Sequence, residues 1–116
     1  MRKILMMVLL TTHAMPAVAQ PDLNSGNAWV EPCRAALDKN NSQDPFSEGV
    51  CFGFVTGVFT TLAWPRNERI CPPNEATVNQ ALRVIVYWLD QHPARLHENF
   101  HALAMVALTQ AWPCKK

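Results

Sequence analysis

The sequence has no Lys/Arg cluster, no Cys-x-x-Cys pair and no uninterrupted apolar run long enough to cross a bilayer. The first absence argues against nucleic acid or an anionic membrane as partner, since both require a concentrated positive field. The second argues against a structural zinc site, which favours closely paired thiols. The third argues against a transmembrane helix, which needs about 20 apolar residues. No internal repeat or low-complexity segment appears.

What is present starts with the pattern of a secretory signal. Arg2 and Lys3 precede an apolar run from Ile4 to Leu10, and Ala17-Val18-Ala19 offers small residues at the usual cleavage positions. Residues 1–19 are therefore expected to be removed, giving a mature start at Gln20 and a soluble, periplasmic product. The absence of cysteine near the cut argues against a lipid anchor. Taking 19 residues from 116 leaves 97, enough for one compact domain. Loss of Arg2 and Lys3 also cuts ten basic residues to eight, against nine acidic ones, so the mature domain is nearly neutral.

All four cysteines, Cys33, Cys51, Cys71 and Cys114, lie in the mature part. An even number in a small exported domain reads as two disulfides.

Periodicity and breakers divide the rest into helices. Residues 20–28 read as a polar, flexible lead-in to a domain over 29–116. A first helix is expected at about Trp29 to Lys39, with Trp29, Cys33, Ala36 and Leu37 on one face. Asp44 then suits an N-cap and Pro45 the first helical position of a second helix to about Ala63. Gly49, Gly53 and Gly57 recur every four residues there, and such a smooth stripe suggests tight packing against a neighbouring helix. After a charged, proline-rich loop, Thr77-x-x-Gln80 has the capping-box pattern for a third helix to about Asp90. Its core face is Val78, Leu82, Ile85, Val86 and Leu89. His92-Pro93 breaks the chain, and a fourth helix is expected from Ala94 to about Ala111 with Leu96, Phe100, Leu103 and Ala107 inward. The fold class is all-α, a compact bundle of four main helices tied by two disulfides.

Four cysteines allow three pairings. The layout favours Cys33–Cys51, flanking the turn between the first two helices, and Cys71–Cys114, brought together when the last two pack antiparallel.

Residues 96–101, LHENFH, contain His-Glu-x-x-His, the zinc signature of many metallopeptidases. On a helix, His97 and His101 would share a face, and Glu98 could serve as general base toward a metal-bound water. A catalytic zinc normally needs a third protein ligand, however. The extended motif would place Gly at 104 and a ligand at 107, and this chain has alanine at both. No Asp, Glu or His follows residue 101. The expectation is no metal, no cofactor and no enzyme, with His97 anchoring the last helix and Glu98 and His101 at the surface.

Several segments resemble a known family. CFGFVTGV (51–58), ICPPNEATVNQALRVIVYWLDQHP (70–93), LHENF (96–100) and ALTQAWPC (107–114) are similar to the Rap/Tai immunity proteins of Gram-negative type VI secretion systems. The most specific pieces are Ile70-Cys71-x-Pro73, His92-Pro93-x-x-Leu96-His97 and Ala111-Trp112-Pro113-Cys114. The resemblance implies a small, exported, helical and often dimeric protein that occludes the active site of a peptidoglycan amidase effector. It further implies a contact through exposed loops, for which this chain offers Arg66, Asn67, Glu68 and Arg69, and Asp90, Gln91 and His92. The competing reading is a periplasmic helical binding or chaperone-like module without a dedicated toxin, which the 49% hydrophobic content would suit if a helix face stayed exposed.

Overall fold

The computed structural model describes residues 17, 22–40, 42–64 and 69–115. Four α-helices make up the fold: α1 (Gly26–Ala35), α2 (Pro45–Leu62), α3 (Val78–Gln91) and α4 (Phe100–Ala111), with a short 3-10 turn at Pro93–Arg95. The described residues contain no strand, only one isolated bridge between Ser25 and Asn99. The all-α reading is correct.

Local chemistry sets most helix ends. The Asp44 carboxylate accepts from Ser47 N–H at 3.3 Å, and Pro45 occupies the first turn of α2, where a missing N–H costs nothing. Glu48 reaches back to the Gln43 and Asp44 amides, completing a reciprocal cap. Thr77 Oγ1 accepts from Gln80 N–H at 3.2 Å and opens α3.

Three expected boundaries move: α1 ends at Ala35 rather than about Lys39, and two helix starts shift. α1 starts at Gly26 rather than Trp29, so part of the expected lead-in is held against the bundle. The last helix does not run from Ala94; it starts at Phe100, with Asn99 capping the Ala102 amide at 3.2 Å. One set of backbone bonds causes both shifted starts. Gly26 N–H donates to Glu98 O at 2.9 Å, Asn27 N–H to Leu96 O at 2.8 Å, and Phe100 N–H to Asn24 O at 2.7 Å. The carbonyls that would have continued a helix through 96–98 are used by the start of α1. These partners are about 70 residues apart in the chain, which no local pattern encodes.

α3 sits centrally, packed against the other three helices. It buries Ala81, Leu82, Ile85, Val86, Trp88 and Leu89, while Val78 is half-buried. Phe100, Leu103, Ala104, Ala107 and Leu108 are buried on α4, and Val30 and Cys33 on α1. Fully burying one such aliphatic side chain contributes about 1.5–3 kcal/mol.

α2 buries Cys51, Val55, Val58, Phe59 and Leu62, and its glycines lie on the opposite side. A Cβ added at Gly49, Gly53 or Gly57 would meet nothing within 4 Å. The stripe therefore does not pack in the core, contrary to its reading from spacing. α2 is apolar on every face, so periodicity could not say which side turns inward. The close approach instead occurs at Gly26, where a Cβ would lie 2.8 Å from a Leu103 methyl and 3.1 Å from the Leu96 carbonyl oxygen.

Both disulfides pair as the layout suggests. Cys33–Cys51 joins α1 to α2 in the core, and Cys71–Cys114 joins the segment before α3 to the tail after α4. No cysteine is free. In the chain-entropy model, closures of 18 and 43 residues contribute about 3 and about 4 kcal/mol.

Candidate functional site

The His-Glu-x-x-His residues are drawn apart by the break before α4. His97 lies in the turn, where Nδ1 is 3.1 Å from the Ala94 carbonyl oxygen; as only a donor can bond there, Nδ1 carries the proton. Glu98 is gripped by Arg95 through paired bonds of 2.7 and 2.8 Å. The Arg95 hydrogen bond holds its carboxyl below the usual glutamate range, the opposite of what a general base near neutrality requires. His101 stands in the first turn of α4, edge-on to Phe54 at 5.6 Å. The premise that His97 and His101 share a helical face is thus corrected. Among the described residues, no three His, Cys, Asp or Glu side chains are grouped to hold a metal ion.

The Arg95–Glu98 pair belongs to a stack that fixes the turn. Arg95 lies over the Trp88 ring at 5.1 Å, and His92 stacks on Trp88 at 3.9 Å. Trp88 Nε1 donates to Gln110 Oε1 at 2.7 Å, and His92 Nδ1 is 2.7 Å from the Trp88 carbonyl oxygen. One indole thereby connects α3, the 3-10 turn and α4.

The proposed contact residues fall into distinct settings. Arg66, Asn67 and Glu68 lie outside the described residues. Arg69 is exposed and borders a groove of about 540 Å³ between α2 and α4, floored by Phe54, Val58 and Leu62. Asp90 is exposed but ion-paired with Arg34 of α1, which also binds Glu31. These two carboxylates, Glu31 first, raise the Arg34 pKa further above its ordinary value. Gln91 is exposed, whereas His92 is half-buried and engaged in the stack. Arg69 borders that groove, and none of Asp90, Gln91 and His92 lines it.

Sequence reasoning missed several exposed apolar side chains. Tyr87 is 68% exposed on the outer face of α3, one turn before Gln91. Its signal was legible: an aromatic between Arg83 and Gln91 on the polar side of a clearly amphipathic helix. Phe46 (80%) and Trp64 (62%) stand exposed at the two ends of α2. No periodic signal marked them, because α2 offers no polar face for contrast.

The features that the resemblance rests on therefore serve the architecture: two disulfides, the Trp88–His92 stack, the Pro93 turn and the Trp112-Pro113-Cys114 tail, where Trp112 O accepts from Cys71 N–H at 2.9 Å. No curated protein and no solved structure matches the chain. The model of one family, the Rap1a immunity proteins, matches residues 25–114. That span contains all four helices and both disulfides, and the chain belongs to the Rap1a immunity protein family.

Proposed function

We propose that the chain is exported to the periplasm and there, as a homodimer, binds and occludes the active site of a peptidoglycan amidase delivered by a type VI secretion system. The observation that carries this reading is the family match across residues 25–114. Two disulfides and no free thiol suit an oxidising compartment, and no described helix is long and apolar enough to cross a membrane. The protein acts by binding and performs no chemistry on its partner.

The segment Arg66–Arg69 is the proposed contact, supported at its edge by exposed Arg69. It runs between the two cross-linked parts of the chain, after Cys33–Cys51 and before Cys71–Cys114. Gln91 is the secondary candidate, with Tyr87 one turn away offering a rigid aromatic of the kind enriched at binding hot spots. Asp90 and His92 are already occupied by Arg34 and Trp88.

The test uses the purified protein and the amidases encoded in the same genome. Tight binding with loss of amidase activity is expected, and R66A/R69A is expected to weaken inhibition about tenfold or more, a loss of about 1.4 kcal/mol. Helical content and melting temperature should hold. Unchanged inhibition in R66A/R69A would move the contact to the Tyr87–Gln91 surface. Failure of every amidase to bind at micromolar concentration would end the immunity reading. The exposed apolar side chains of α2 would then favour the helical binding module.

A further inference from the structure

The groove that Arg69 borders continues beyond its floor of Phe54, Val58 and Leu62. A second hollow of about 180 Å³ adjoins it, and Phe54 and His101 line both. Together they make one trough between α2 and α4, running from Val50 to Leu62. By helical rise that is about 18 Å, room for about five extended residues. The floor is aromatic and held in place. Trp29, Phe100, Phe54 and His101 follow one another with ring centroids 6.2, 5.0 and 5.6 Å apart. Trp29 Nε1 donates to the Leu23 carbonyl oxygen at 2.8 Å, which fixes the far end. The α2 wall is low, since a Cβ at Gly53 or Gly57 would meet nothing within 4 Å. His101, read from its motif as a metal ligand, is instead part of the wall that α4 provides.

We infer that this trough seats an extended apolar segment of the amidase, with a carboxylate of that segment on Arg69. The inference rests on the amidase reading above and carries the contact from the 66–69 segment onto the faces of α2 and α4. Its basis is charge. Among the described residues no acid lines either hollow, and Arg69 stands at one end as the only Lys or Arg. Arg34 and Arg95 are each held by carboxylates, whereas Arg69 has no ion pair with a described residue. At the other end stand the neutral amides Asn24 and Asn99. A segment that is apolar along its length and acidic at one end therefore matches the trough in one direction only. Complementarity of this kind selects the partner and fixes its register.

The acid has to come from another protein. Asp22, Asp38, Asp44 and Glu48 accept from main-chain amides of this chain. Glu31 and Asp90 hold Arg34, and Glu98 holds Arg95. Of the described acids, only the exposed Glu75 stands outside these bonds. A second copy thus has little to offer Arg69, while the apolar floor is already rigid and loses little freedom on binding.

The test uses the full protein and an amidase of the same genome that it inhibits. Arg69→Glu reverses the charge. Gly57→Leu fills the trough, and leucine is the better helix former. Each is expected to weaken inhibition about tenfold or more, with the circular dichroism spectrum and the sedimentation mass unchanged. Among Asp→Lys and Glu→Lys variants of the amidase, one should be inhibited by R69E better than the wild-type amidase is. Wild-type inhibition by both R69E and G57L would overturn the trough and leave the immunity reading standing. Loss of inhibition with no amidase variant restoring it would overturn the carboxylate on Arg69. Loss accompanied by a change of mass would assign the trough to a second copy and overturn the inference. A wild-type protein that inhibits no amidase would remove the immunity reading and this inference together.

Discussion

Glu98 shows how a residue that looks catalytic in the sequence is held for another purpose. Its carboxylate neutralises Arg95, which in turn lies over Trp88. The Arg95 hydrogen bond depresses the Glu98 pKa in the folded chain. Folding is therefore favoured above the unfolded value near 4.5, and that contribution is lost as pH falls through the lower folded value. The Ser47 hydroxyl does the same for Asp44 at the start of α2. Glu98→Gln removes the titration but keeps a hydrogen-bonding side chain. The urea midpoint of this variant is expected to fall less between pH 6 and pH 3 than that of the wild type, and equal falls would show that the pair adds nothing. The same residue marks a limit of motif reading. His-Glu-x-x-His carries meaning only on a helix, and whether 96–101 is helical was decided by bonds from residues 24–27.

At the level of elements, legibility tracked contrast. α3 alternates core and solvent positions clearly, and its capping threonine and four of its five expected inward residues were read correctly. α2 was correctly placed from Asp44 and Pro45, but a helix without a polar face cannot announce its orientation. α1 and the approach to α4 depend on each other, so neither boundary was readable alone. Their junction is the tightest in the fold, and Gly26 permits it. Gly26→Ala would press a methyl against Leu103 and the Leu96 carbonyl. A loss of about 1–3 kcal/mol is expected in urea denaturation, in line with other overpacked sites. A neutral result would mean that the 96–98 turn yields freely. The proposed contact residues carry no periodic signal, because exposed loop residues are constrained by a partner and not by the fold.

On the scale of the whole molecule, a small core is reinforced by two cross-links of unequal accessibility. Cys33 and Cys51 have no exposure, whereas Cys71 is exposed and Cys114 half-buried. Thiol–disulfide exchange requires a thiolate to reach the sulfur, so mild reduction should open Cys71–Cys114 first. Alkylation of the intermediate followed by peptide mapping is expected to place the label on Cys71 and Cys114, and label on Cys33 and Cys51 at equal rates would contradict the burial.

The two cross-links also define a covalent topology. Cys33–Cys51 closes one ring of chain and Cys71–Cys114 closes another, and neither bond passes from one ring to the other. A backbone cut within either ring leaves a single molecule. Between the rings, from Cys51 to Cys71, the peptide backbone is the only tether. Arg66–Arg69, the proposed contact with the amidase, lies in that tether. A protease that cleaves after one of those arginines would divide the protein into two pieces joined only by non-covalent contacts, whereas the same cut after Arg83 or Arg95 would be held closed.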